Sequence, residues 1–116
     1  MIEYPIHVIQ ELASLRTQAE QGVSVLAAAE TKHVRLELEA DRQEALTFLE
    51  AQGTVADRTA VAKLKTIEAR QDAELAKVEV NRVKLKLRQL SEAMNATQTA
   101  GKMIELQWKT AGVNER

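Results

Sequence analysis

An uninterrupted heptad repeat runs through the second half of this 116-residue chain. Uncharged residues recur alternately four and three positions apart, and we call this set the heptad seam. Its members are Ala62, Thr66, Ala69, Ala73, Ala76, Val80, Val83, Leu87, Leu90, Met94, Thr97, Gly101, Ile104 and Trp108. This spacing is typical of helices that pack side by side along a narrow apolar stripe. The sequence therefore predicts a long helix that packs lengthwise against another helix.

The composition restricts the fold class further. Tyr4, Phe48 and Trp108 are the only aromatic residues, whereas a globular core normally depends on the large buried areas of aromatic side chains. Turn-forming residues are scarce, with one proline and four glycines, which disfavours folds built from many short strands. The prevalence of strong helix formers predicts an all-α protein of long helices.

A few residues mark where the helices begin and end. Pro5 is tolerated only in the first turn of a helix, and Gly53 suits the left-handed position after a helix end. Thr54 and Asp57 have the spacing of a capping box, which starts a new helix. We therefore predict one helical domain over residues 1–116, with a helix over about 6–51, a break at 52–54, a helix over about 55–110 and a frayed tail.

The first predicted helix carries a matching apolar stripe. It comprises Leu12, Leu15, Ala19, Val23, Leu26, Ala29, His33, Leu36 and Ala40. The short link at Gly53 allows this stripe to pack on the heptad seam as an antiparallel hairpin. The stripe is equally compatible with pairing between subunits, and the sequence leaves both arrangements open.

A second apolar set on the second helix lies outside the heptad seam. It comprises Leu64, Ile67, Leu75, Val78 and Leu85. One hairpin partner covers one face only, so two apolar faces indicate a third neighbour, most simply another subunit. We therefore predict a homo-oligomer. The residues predicted to hold its subunits together are Val80, Val83, Leu87, Leu90, Met94, Ile104 and Trp108.

Charge is divided unevenly between the two halves. Residues 1–52 hold four basic and nine acidic residues, and residues 53–116 hold twelve basic and eight acidic residues. A window from Val80 to Ser91 contains four basic residues and no acid, and a basic residue recurs every seven positions from Lys63 to Lys84. Spaced cations of this kind bind a phosphate backbone with release of counterions. They also occur as solvated flanks of coiled coils that pair with acids, and both interpretations stay open.

The sequence shows no arrangement of residues that catalysis or metal binding would need. The chain has no cysteine, and its only histidines are His7 and His33, of which His33 falls within the apolar stripe. It contains no glycine-rich phosphate loop and no zinc-protease motif. We expect no enzymatic activity, no cofactor and no metal site. No apolar run reaches membrane-spanning length and no signal peptide is evident, so we expect no membrane association and a cytoplasmic protein.

The segment Gly53–Trp108 resembles the phage recombination mediators of the UvsY type. The matching stretches are Asp57-Arg58, Lys65-Thr66, Asp72 with Lys77-Val78-Glu79, and Ser91-Glu92-Ala93-Met94-Asn95-Ala96 leading to Gly101. The resemblance implies an oligomer in the bacterial host cytoplasm that binds single-stranded DNA. It also implies that the protein helps a RecA-like recombinase to replace the single-strand-binding protein. The family's basic residues late in the first helix correspond here to Gln43 and Ala45, with Arg42 close by.

The leading hypothesis is therefore a recombination mediator that binds single-stranded DNA without sequence preference. Its candidate DNA-binding residues are Arg82, Lys84, Lys86, Arg88, Lys63, Arg70, Lys77, Arg42 and Arg58. The alternative is a coiled-coil interaction protein, a structural phage protein or an inhibitor of a host enzyme, without nucleic-acid binding. The nearly neutral total charge favours the alternative, because many DNA-binding proteins are strongly basic.

Overall fold

The described part of the computed structural model is entirely helical apart from a short link and a single-residue break. Its backbone is described from Glu3 to Asn114 and its side chains over residues 6–110. Within that part the chain forms three helices, which we number α1 (Glu3–Glu50), α2 (Val55–Lys65) and α3 (Ile67–Asn114). The all-α prediction is confirmed. None of these helices combines the length and the hydropathy that a membrane span requires.

Helix α1 begins earlier than predicted. It starts at Glu3 rather than near residue 6, so Pro5 lies within its first turn. The first N–H groups of a helix have no intrahelical acceptor, so proline removes no hydrogen bond at this position. The far end of α3 also lies beyond its predicted limit, at Asn114 instead of residue 110. The remainder of the predicted frayed tail falls outside the described residues.

The link between α1 and α2 has the predicted geometry. Gly53 has a φ of 110°, a conformation that residues with a Cβ rarely adopt. Thr54 caps α2, because its hydroxyl accepts a hydrogen bond from the Asp57 N–H at 3.1 Å. The Asp57 carboxylate in turn accepts from the Thr54 N–H at 3.3 Å. These reciprocal hydrogen bonds satisfy N–H groups that the first turn of a helix otherwise leaves without a protein acceptor.

The second predicted helix is interrupted at Thr66, which corrects the prediction of one helix over about 55–110. Thr66 has φ −105° and ψ 9° and separates α2 from α3. It is 2% exposed, and its hydroxyl donates to the Ala62 carbonyl at 2.7 Å. A threonine hydroxyl that bonds back to the preceding turn often bends a helix. The heptad spacing alone does not show this break, because Thr66 keeps its place in the repeat.

The chain divides into two compact units, and both α1 and α3 contribute to each. The terminal unit comprises the chain up to Ser24 and the chain from Leu85 onwards, and the middle unit comprises Val25–Lys84. The same two long helices build both units, so this division does not test whether the chain is one domain. The prediction of one domain stays a prediction.

The helices pair in antiparallel fashion within the same chain in both units. In the middle unit, Arg70 contacts Glu44 and Arg58 contacts Phe48. Residue numbers therefore increase along α1 in the direction in which they decrease along its partner helix. In the terminal unit, Gly22 faces Leu87, while nearer the chain ends Val8 faces Gly101. In each unit the helices therefore pair within the chain, as expected for the hairpin arrangement.

The core consists of small side chains from the heptad seam and one residue of α1. The buried apolar residues are Ala40, Ala62, Ala73, Ala76, Val80 and Val83. Every other seam residue except Trp108 is half-buried or, like Thr66, buried. The predicted seam is thus the packing face of α2 and α3. Alanine and valine at these positions allow the helix axes to approach closely.

The apolar stripe of α1 needs one correction. Val23 is 62% exposed, whereas its neighbour Gly22 is half-buried against Leu87. With Gly22 in place of Val23, the α1 stripe alternates three and four positions without a fault from Leu12 to Ala40. Strict alternation would have selected Gly22, but the larger side chain of Val23 made it the more obvious apolar candidate.

Candidate nucleic-acid interface

Four exposed cations of α3 form the acid-free window that the sequence singles out. They are Arg82, Lys84, Lys86 and Arg88, and each is exposed. Successive members lie two positions apart, which rotates each by about 200° around the helix from the one before. They therefore do not share one face. Lys84 and Lys86 lie on opposite flanks of the heptad seam, so the four cations do not form a single row.

The basic row with seven-residue spacing lies on one flank of the seam. It comprises Lys63, Arg70, Lys77 and Lys84. In the structure Arg70 donates to a carboxylate oxygen of Glu44 and lies 2.7 Å from the Asp41 carboxylate. The hydrogen bond to Glu44, followed by that to Asp41, raises the pKa of the Arg70 guanidinium. Arg70 is therefore committed to ion pairs within the chain.

The acids of α1 repeat with the same period as this basic row. Glu30, Glu37 and Glu44 lie seven positions apart, and Glu44 already contacts Arg70. Among the described residues, Arg70 is the only member of the row that makes an ion pair within 4.0 Å, so the coiled-coil flank interpretation is supported at Arg70 alone.

Arg42 is held on its own helix. Its Nε donates to Glu39 Oε2 at 3.2 Å, and its Nη2 donates to Glu39 Oε1 at 3.3 Å. Gln43 donates to the same carboxylate at 3.2 Å. The hydrogen bond from Arg42 and then that from Gln43 lower the pKa of Glu39. Arg42 is exposed and its two partners are half-buried, so the cluster is a local contact at the surface of α1.

Arg58 has a structural role at the turn between α1 and α2. Its guanidinium lies over the Phe48 ring, 4.4 Å from the centroid, and its Nε donates to the Phe48 carbonyl at 3.0 Å. A cation over an aromatic face and a hydrogen bond to a helix C-terminal carbonyl both stabilise this arrangement. This contact was not predicted from the sequence. The available signal was an arginine shortly after the glycine turn that follows a lone phenylalanine.

Few of the remaining candidate cations have an acidic partner. Arg82 lies 3.6 Å from Glu79 on the same helix, and both side chains are mostly exposed. Among the described residues, five of the candidates make no ion pair within 4.0 Å: Lys63, Lys77, Lys84, Lys86 and Arg88. Unlike the other candidate cations, Lys86 also has no acid within five positions along the chain. It is the candidate cation with the least local neutralisation.

The residues predicted as the oligomer interface face α1 of the same chain. Val80 and Val83 are 6% and 9% exposed in the single chain, and Leu87, Leu90, Met94 and Ile104 are half-buried. Trp108 remains 39% exposed. The chain's own first helix packs against this face, and the assignment of these residues to subunit contacts stays a prediction. A heptad pattern reports that a face is covered, but not whether the partner helix belongs to the same chain.

Neither histidine indicates a metal or catalytic site. His33 lies half-buried in the α1 stripe, with Nε2 3.7 Å from the Glu37 carboxylate. His7 is exposed. Within the described residues, no three potential ligand side chains cluster as metal coordination requires.

Comparison with known proteins adds no identification. No family profile, curated protein or solved structure matches the chain.

Proposed function

We propose that this protein is a coiled-coil recombination mediator that binds single-stranded DNA through α3. The observation that carries the proposal is the acid-free window, in which Arg82, Lys84, Lys86 and Arg88 are all exposed. Because these cations do not share one face of the helix, they suit a flexible single strand better than a rigid duplex. Arg70, Arg42 and Arg58 are engaged within the chain and are no longer leading candidates.

Binding would depend on phosphate contacts. Cations that neutralise phosphates release condensed counterions, which drives association without reading sequence. Stacking of bases on aromatic rings contributes little, because the chain has only three aromatic residues and the Phe48 ring is already covered by Arg58. One subunit offers few cations, so an oligomer would be needed to convert them into an avid surface.

The resemblance to UvsY-type mediators suggests the step of recombination in which the protein would act. The bound strand would be handed from a single-strand-binding protein to a RecA-like recombinase. At the family's basic positions, Gln43 donates to Glu39 and Ala45 is exposed without charge. We therefore place DNA binding on α3 instead of late α1.

A second candidate function is a protein-interaction module without nucleic-acid binding. It is favoured by the ion pairs that Arg70 makes with Asp41 and Glu44, since they engage part of the basic row within the chain. Exposed apolar residues on the outer faces, among them Leu38 and Leu75, also suit a protein partner.

Fluorescence anisotropy with a labelled oligothymidylate across a salt series tests DNA binding. The variant Lys84→Gln/Lys86→Gln should bind more weakly, and its salt slope should fall by about 1.4, because each phosphate contact on a single strand contributes about 0.7. The charge-matched control Lys102→Gln/Lys109→Gln should retain the wild-type slope.

Two results would contradict the proposal and favour the interaction module. One is no binding by the wild-type protein at about 50 mM salt. The other is an equal loss of affinity in the Lys84/Lys86 variant and in the control variant, since that would show that the window has no special role. Recombinase loading on a strand coated with single-strand-binding protein then tests the mediator step.

A further inference from the structure

The buried residues of the described chain all lie in the middle unit. They are Ala40, Ala62, Thr66, Ala73, Ala76, Val80 and Val83. In the terminal unit, no residue within 6–24 or 85–110 is buried, and the packed positions there are half-buried. The helices of the terminal unit therefore exclude water from their contact less completely. Segments with few fully buried apolar contacts open at a lower free-energy cost than the rest of a protein.

The polar contacts between helices are also confined to the middle unit. There Arg70 pairs with Asp41 and Glu44, and Arg58 donates to the Phe48 carbonyl. Over residues 6–24 and 85–110, every side-chain hydrogen bond joins residues of the same helix, and no ion pair within 4.0 Å connects α1 to α3. Over these residues the two helices are held together by apolar contacts alone.

Two of those contacts are made by glycines inside helices. Gly22 of α1 faces Leu87, and Gly101 of α3 faces Val8. A glycine in a helix interior is less favourable than alanine by about 1 kcal/mol. In the middle unit the only glycine is Gly53, which lies in the link and not in a helix. The helical segments of the terminal unit are therefore intrinsically easier to melt.

The connectivity of the hairpin favours opening of the terminal unit first. Its two segments are joined to each other only through the middle unit, whereas the short link at Gly53 ties α1 to α2 directly. Separation of α1 from α3 in the terminal unit leaves the link and every contact of the middle unit in place. Opening of the middle unit between a closed link and a closed terminal unit would create a flexible loop, which carries an additional closure entropy.

We infer that residues 6–24 of α1 form a strap that releases from α3 while residues 25–84 stay folded. Cooperative segments of this kind open without global unfolding. Release uncovers the large residues of the heptad seam that the strap half-buries, which are Leu87, Leu90, Met94 and Ile104. The strap thereby controls access to the apolar face of α3. This inference does not depend on DNA binding.

Native-state hydrogen exchange of the full chain, measured by mass spectrometry of its peptides, tests the release. After correction for intrinsic rates, amides over residues 87–104 should exchange at least about 10-fold faster than amides over residues 70–83. Both segments belong to α3, so the comparison is made within one helix. Equal protection of the two segments would overturn the inference.

A disulfide across the strap distinguishes its release from fraying of α3 alone. A Cβ built at Gly101 lies 3.8 Å from the Val8 Cβ, which is the separation typical of a disulfide. The chain has no cysteine, so Val8→Cys/Gly101→Cys introduces this pair alone. In the oxidised variant, exchange over residues 87–100 should slow by about 10-fold or more. Unchanged exchange would show that α3 opens without the strap and would overturn the inference.

Two controls separate the crosslink from the substitutions. The reduced form of the double variant should recover fast exchange over residues 87–100. The matched variant Val8→Ser/Gly101→Ser cannot form a disulfide and should exchange fast under oxidising and reducing conditions alike. Exchange slowed equally in the serine variant would attribute the effect to packing and contradict the release of the strap. Failure of the two cysteines to form a disulfide would contradict the Val8–Gly101 contact on which the strap depends.

Discussion

Gly22 controls how closely the two helices approach in the terminal unit. A Cβ built at this position would overlap the Cδ2 methyl of Leu87. We expect Gly22→Leu to destabilise the fold by about 1–3 kcal/mol, because extra methylenes at a packed contact force neighbouring side chains out of their rotamers. Denaturant unfolding monitored by circular dichroism measures this change.

The adjacent Val23 provides the matched control. It is 62% exposed, so Val23→Leu should change the free energy of unfolding by no more than about 0.5 kcal/mol. Equal destabilisation by the two variants would show that Val23 lies in the stripe, as the sequence first suggested.

This pair also shows what residue-level reasoning can and cannot predict. The capping residues Thr54 and Asp57 were identified correctly, because their roles depend on local spacing alone. The partners of Arg58 and Arg70 were not identified, because each lies across the hairpin and depends on the register between helices. That register becomes available only when both stripes are assigned correctly.

Among the helices, the N-terminal cap of α2 is the clearest local contribution to stability. Thr54→Ala should reduce the free energy of unfolding by about 1 kcal/mol, because it removes the acceptor for the Asp57 N–H. Chemical denaturation measures the loss. Thr31→Ala is the matched control, since its exposed hydroxyl only bonds back to the Ala27 carbonyl of the same helix. An equal loss in both variants would rule out a capping contribution.

The helices themselves were largely predictable, and the exceptions have physical reasons. The heptad repeat and Gly53 predicted the two long helical segments and the turn between them. The break at Thr66 was missed because a buried hydroxyl can either remain within a regular helix or bend it, and the repeat is the same in both cases. The assignment of seven seam residues to subunit contacts stays a prediction, because a repeat does not identify its partner helix.

At the scale of the whole molecule, stability should depend on protein concentration. Association that favours the folded state over the unfolded state raises the melting temperature as concentration increases. We expect the melting temperature of the wild-type protein to rise over an approximately 100-fold concentration range, and that of Leu75→Glu to stay constant. Differential scanning calorimetry provides the measurement. A constant melting temperature in the wild-type protein would contradict the association of folded chains.

The position of the single tryptophan offers a way to follow one part of the molecule by itself. Trp108 lies in the terminal unit, beside a groove that it lines with Val8 and Ile104. Its emission therefore monitors the loss of packing there, whereas far-ultraviolet dichroism averages over every helix. If the two signals change at different denaturant concentrations, the halves of the hairpin unfold as separate cooperative blocks. If they coincide, the chain behaves as one folding unit, and the single-domain prediction is supported without any label having to be attached.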